Sequence, residues 1–224
     1  MNEKRLRFKG WETLVIKMKK FTTLCLSLLL SATTFAQTEP GTFSLQPKVG
    51  INVSNVISSD GDNGAKAGLV FGAEANYQLN KLFSFSIGTI YSQQGTKQSL
   101  NGADVTMKLD YINVPILINF HVVQGLALKV GVQPGFLIND KAIVERNGVS
   151  VEFGIEKLIQ NTPQYSNVKL QKFDCTIPIG VSYEFSNVML DARYCPGLVK
   201  IFSGVPSSDR HSVFQFTVGY KFDL

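Results

Sequence analysis

His121 and His211 are the only two imidazoles in a chain of 224 residues, so proton-transfer and zinc chemistry have few starting points. His211-Ser212, with Asp209 just before them, is the one place where a hydroxyl, an imidazole and a carboxylate meet in sequence, the combination that acyl transfer uses. Adjacent residues of an extended strand point to opposite faces. His211 and Ser212 therefore do not address one substrate, and they read as the polar end of a strand. The two histidines fall at opposite ends of the fold deduced below, and no zinc set can be assembled from them. The reading is of a protein with no cofactor, no metal and no enzymatic activity.

A second set of chemically capable residues is charged: Lys48, Glu74, Lys129, Asp174, Asp191 and Arg193, with Glu184 as a further carboxylate. Each stands where strand alternation predicts a polar face. Together they would either line a proton or ion path or neutralise one another inside a packed interior.

The elements that carry these residues alternate with period two rather than 3.6. In 66–79 the odd positions Ala67, Leu69, Phe71, Ala73, Ala75, Tyr77 and Leu79 are apolar, while Gly68, Gly72, Glu74, Asn76 and Gln78 fall between them. The same pattern recurs in Phe83, Phe85 and Ile87 against Ser84, Ser86 and Gly88, and in Phe214, Phe216 and Val218 against Gln215, Thr217 and Gly219. Strands are predicted at 43–56, 66–79, 82–95, 105–121, 125–138, 168–184, 187–197 and 211–223. The connections at 57–65, 96–104, 139–167 and 198–210 are long and polar, whereas 80–81, 122–124 and 185–186 are tight. Alternating turns and loops are the mark of an outer-membrane barrel with turns in the periplasm and loops outside. The segment 139–167 reads as a loop whose apolar stretch 149–158 suits either a short helix or a hairpin rising above the membrane.

Residues 1–36 read as a signal peptide. Lys17, Lys19 and Lys20 precede an apolar run from Phe21 to Leu30, and Thr34-Phe35-Ala36 offers a cleavage site before Gln37. Met18-Lys19-Lys20 resembles the start of such a peptide, which leaves both Met1 and Met18 as candidate starts. The mature domain is then 37–224. With seven Lys/Arg and two Asp/Glu in the first 36 residues, the remainder carries fifteen of each, so its formal charge is zero and no nucleic-acid partner is indicated. Cys175 and Cys195 fall on opposite faces of neighbouring strands, which disfavours a disulfide.

Which face meets lipid is the deciding question. The polar faces hold Gly, Ser, Asn and Gln rather than the Lys/Glu pairs of a solvated sheet. Aromatic residues gather toward strand ends, with Tyr77, Tyr183, Tyr220 and Phe222 at the turn side and Tyr91, Tyr111 and Tyr194 at the loop side. An even number of strands leaves no edge unpaired in lipid. The expected fold is an all-β, eight-stranded, antiparallel, up-and-down transmembrane β-barrel, with Phe71, Phe85, Ile116, Val130, Ile179 and Phe216 facing lipid. Lys48 and Glu74, equidistant from position 61, are expected to meet across the first two strands.

The leader, Lys48-Val49-Gly50-Ile51-Asn52-Val53-Ser54, Tyr111-Ile112-Asn113-Val114-Pro115-Ile116-Leu117, Ala192-Arg193-Tyr194 with Gly197-Leu198, and Val218-Gly219-Tyr220-Lys221-Phe222 resemble the PorT-like outer-membrane β-barrel family of the Bacteroidetes. The resemblance implies a place in the cell outer membrane and, for one member, support of protein secretion. The expected function is that of a monomeric structural or interaction barrel, held in outer-membrane lipid, whose exposed loops contact an envelope or secretion-system protein. The competing reading is a soluble exported barrel that binds a small apolar ligand inside.

Overall fold

A computed structural model of the chain describes residues 39–58, 61–62, 64–100, 102–146, 148–161, 167–204 and 209–224. The leader and its cleavage site lie outside the described residues. The unit that begins at Gln37 is built almost wholly of antiparallel strands. Eight of them form the wall: β1 Phe43–Ser58, β2 Lys66–Gln78, β3 Phe83–Leu100, β4 Ala103–Asn113 continued by Ile116–Val123, β5 Leu126–Arg146, β6 Phe173–Thr176 continued by Ile179–Phe185, β7 Val188–Pro196 and β8 Arg210–Tyr220. Each pairs with its neighbour in sequence. β8 returns to β1 from Lys48↔Gly219 to Ile57↔Arg210, which closes the ring and removes both edges.

β4 and β6 are each interrupted by a proline that has no N–H to give the ladder. Pro115 and Pro178 still accept on their carbonyls, from Gly88 at 3.1 Å and Gly131 at 3.2 Å, so the neighbouring strands stay joined across the gaps. At the tight turn between β6 and β7, Ser186 and Asn187 both take positive φ, 47° and 70°. That is the backbone geometry a two-residue hairpin of the primed type requires.

Alternation decides what each face meets. Phe71, Phe85, Val130, Ile179 and Phe216 are exposed, and Ile116 lies on the same outer face, opposite the exposed Ile87 and Val132. Ser84, Ser86, Asn52, Asn119, Gln133 and Gln215 are buried inside. This inversion of a water-soluble barrel rules against the apolar-ligand reading, because the lumen presents amides, hydroxyls and charges. Tyr111 departs from expectation: it is 1 % exposed and lies inside, because its neighbour Ile112 takes the outer face of β4.

Two segments read as loops are largely strand. β3 and β4 run on through 96–100 and 103–104, and β5 continues to Arg146, where it pairs with Val149–Phe153. The helix α1, Ile155–Asn161, follows, so 139–167 contains both a hairpin and a helix. A register shift between Asp110 and Tyr111 marks a bulge in the pairing of β4 with β5. Below it the odd residues of β5 (Lys129, Gln133, Gly135) face inward; above it the even residue Ala142 does. A bulge adds twist and bends the strand pair. Here it turns the apolar face of the extension over the barrel mouth.

The strand expected at 168–184 is also corrected. Lys169–Leu170 leaves the wall to pair with Phe202–Ser203, and β6 begins only at Phe173. Leu170 and Ile201 thereby join Val56, Leu109, Tyr111, Ala142 and Ile155 in an apolar cluster. The hydrophobic core of this barrel is a cover at its loop end, not a filling of its lumen.

Candidate functional site

At mid-height the lumen is occupied by five charged side chains from β1, β2, β5 and β7. Arg193 aims its fork at two carboxylates: Nη1 and Nη2 donate to Glu74 at 2.6 and 2.8 Å, while Nε and Nη2 donate to Asp191 at 2.6 and 2.8 Å. Lys48 donates to Glu74 at 2.6 Å and lies 3.8 Å from Asp191, and Lys129 donates to Asp191 at 2.7 Å. No side chain of the five is more than 4 % exposed. A planar guanidinium suits this task because its donors are fixed in the geometry that two carboxylates can share.

The first hairpin is staggered by one residue pair from the equidistance of Lys48 and Glu74 about position 61. Lys48 faces Gly72 and Glu74 faces Gln46, so the ion pair runs diagonally. Diagonal neighbours are within reach of long side chains. Asp174 is not part of the cluster. It is buried opposite Gly135 and accepts the N–H of Cys175 at 2.8 Å. Glu184 pairs instead with Lys221 at 3.0 Å, near the turns.

Glycine makes the room. A Cβ on Gly180 would stand 2.8 Å from Cγ of Arg193, and one on Gly88 would stand 2.6 Å from Cγ of Glu74. The wall is bare where the cluster is bulkiest.

The histidines are separated, and each has a partner. His211 Nε2 lies 3.1 Å from the Tyr111 hydroxyl inside the barrel, whereas Ser212 donates to the Tyr194 hydroxyl at 3.3 Å. His211 and Ser212 thus bond to different groups. A second contact escaped the sequence reading: Ser84 Oγ lies 3.0 Å from His121 Nε2 at the turn end. The available signal was parity, since Ser84 and Asn119 are register partners and His121 follows two residues later on the same face. Asn119 Nδ2 also donates to Ser84 at 3.0 Å, and Ser84 is 1 % exposed, so its oxygen is engaged and sheltered from substrate. Cys175 and Cys195 are free thiols. The arrangement can hold charge in a fixed pattern and fill a narrow barrel; an interior of eight strands is just wide enough for side chains to do so.

A closed antiparallel ring with an apolar exterior and an ion-paired interior defines a small transmembrane β-barrel. Residues 35–203 match the family model for the outer membrane protein beta-barrel domain, and the chain belongs to that family. Its place is the outer membrane. Among solved structures it is similar to Ail, the attachment invasion locus protein of Yersinia pestis (16 % identity, 82 % of this chain and 99 % of that one, TM-score 0.46). It is also similar to Neisserial surface protein A (17 % identity, 80 % and 97 %, TM-score 0.45) and to OprG from Pseudomonas aeruginosa (11 % identity, 84 % and 99 %, TM-score 0.46). No curated protein matches the chain.

Proposed function

We propose that this protein is a non-enzymatic, monomeric barrel of the PorT-like kind, exported by its leader, that acts as an interaction protein. Its loop end faces outside the cell and contacts another envelope protein, including a component of a secretion system. The observation that carries this reading is the sheet at the loop end. β3, β4 and β5 run on beyond the apolar belt and add Val149–Phe153, forming a hydrogen-bonded platform. The eight residues 139–146 extend it by about 25 Å at the usual strand rise. A filled lumen under an apolar cover supports contact rather than passage, and loops held on a rigid scaffold are where binding residues concentrate.

Sidedness is tested with single cysteines and a membrane-impermeant maleimide on intact cells. Ser150→Cys is expected to label and Lys81→Cys to remain unlabelled until the outer membrane is opened; the reverse would invert the orientation. A photo-crosslinking residue in place of Val151, which is 55 % exposed, is expected to capture a discrete envelope protein. Capture no greater than from the same residue in place of Lys81 would refute the role.

A further inference from the structure

Just above the apolar belt, the outer faces of β3, β4 and β5 change chemistry in two steps. Tyr91, Ile112 and Phe136 are register partners and close the belt. The next outward row is polar: Gln93, Asp110 and Asn139. The row after that sets Gly95 opposite Lys108 and Lys108 opposite Lys141. Gly95 contributes no side chain; Lys66 of β2, opposite the buried Ser54, has inward parity and donates from Nζ to the carbonyl of Gln94 at 3.2 Å. Two outward lysines, Lys108 and Lys141, thus stand side by side in one row, four residues or about 13 Å along the strand beyond the row of Tyr91, Ile112 and Phe136.

Like charges placed directly opposite in a sheet repel. Two carboxylates are near, and both are engaged. Asp110 accepts from Asn139 at 2.8 Å, and Glu152 pairs with Lys141 at 2.5 Å. Among the described residues Lys108 has no ion-pair partner, although it stands directly opposite Lys141. The row is cationic, and the long lysine stems can reach back from it toward the headgroup layer that borders the apolar belt.

We propose that Lys108, beside Lys141, binds the phosphate of a membrane lipid whose acyl chains lie on Tyr91, Ile112, Phe136 and Ile138. The lysine amines supply charge-assisted donors to the phosphate oxygens. The exposed Phe136 and Ile138 continue directly into the belt, so one lipid spans both surfaces. The site rests on the outer face meeting lipid and is independent of which side of the membrane the loop end occupies.

The test measures thermal unfolding of the folded barrel in phosphatidylcholine micelles doped with phosphatidic acid, an exposed phosphomonoester. Doping is expected to raise the midpoint of the parent protein, while the same concentration of inorganic phosphate leaves it unchanged. Lys108→Gln should need roughly five times more phosphatidic acid for the same shift, since each lysine near a charged surface contributes about that factor. In phosphatidylcholine alone Lys108→Gln should be as stable as the parent or more so, because it relieves the opposed lysines. Lys97→Gln, one row higher and paired with Asp104, should respond like the parent. An unchanged phosphatidic acid response in Lys108→Gln would overturn the proposal. So would an equal shift from inorganic phosphate, which would indicate an adventitious ion only, or a loss of stability in phosphatidylcholine alone, which would make Lys108 an internal ion-pair partner. Micelles have no sides, so failure here is distinct from failure of the surface-labelling test.

Discussion

Glu74→Gln should destabilise the barrel by about 3–5 kcal/mol, the usual result of stripping one partner from a buried ionic group. The charge count inside the lumen explains why this residue is the sensitive one. Lys48, Lys129 and Arg193 face only Glu74 and Asp191, so the cluster already holds one surplus cation. Glutamine keeps the shape of Glu74 but leaves three cations against a single carboxylate, and one of the two oxygens that accept from Arg193 becomes an amide donor, leaving Nη2 with Asp191. Lys48→Met acts in the opposite direction. It removes the surplus charge while Glu74 keeps the Arg193 fork, so its cost should be well below that of Glu74→Gln. The double variant restores the original excess of one cation and should cost less than the sum of the singles by about 1–3 kcal/mol. Urea unfolding in phospholipid vesicles provides all three values. Additive costs would mean that the two side chains do not share an ionic group.

The second large effect lies on the other face. The outward residues of β3 within the belt are Phe83, Phe85, Ile87, Thr89 and Tyr91, which puts Ile87 in the middle and Phe85 one row nearer the turns. Ile87→Arg should cost about 2–4 kcal/mol and Phe85→Arg less, because the penalty for arginine on a barrel wall falls from the bilayer centre toward the interface. Ile143→Arg is the matched control. It is the same substitution on the outer face of β5, but it lies above the belt between Lys141 and Glu145, and it should change stability by no more than about 0.5 kcal/mol. Equal costs for Ile87→Arg and Ile143→Arg would place both residues in the same solvent, contrary to a belt that ends at Tyr91 and Ile112.

The ring of strands is legible in the sequence because lipid outside and a narrow lumen inside enforce alternation over most of the spanning rows, Val70, Ile90, Leu117 and Met189 being apolar residues turned inward and Thr89 a polar one turned outward. Phe214, Phe216 and Val218 against Gln215, Thr217 and Gly219 leave no other fold for that segment. The inward direction of Lys48, Glu74, Lys129, Asp191 and Arg193 follows from parity alone. Their convergence does not, since it depends on stagger, and the one-pair offset of Lys48 from Glu74 is set by ring closure rather than by either strand. Above the membrane the outer face turns polar, so Lys97, Asp104, Lys141 and Glu145 gave strand residues the composition of a loop. The bulge at Asp110 then exchanged inward and outward parity on β5 and hid the remaining period. The place of Tyr111 was readable from Ile112 beside it, but the clustering of tyrosines near strand ends pointed the other way. The departure of Lys169–Leu170 from β6 has its cause in Phe202–Ser203, some thirty residues away, and no local pattern announces it.

Quenching by lipids brominated along their acyl chains tests most directly which face of the ring meets the membrane. Tryptophan is placed singly at Ile118, Val130 or Phe216, which lie on β4, β5 and β8 and are 54 %, 50 % and 48 % exposed, in the domain 37–224, which contains no tryptophan of its own. Val151→Trp, on the platform above the belt, provides the comparison. All three belt positions are expected to be strongly quenched by the brominated lipid and shielded from aqueous acrylamide, with Val151→Trp showing the opposite pattern. Belt tryptophans open to acrylamide and untouched by bromine would contradict the account, because the apolar face would then not be in lipid.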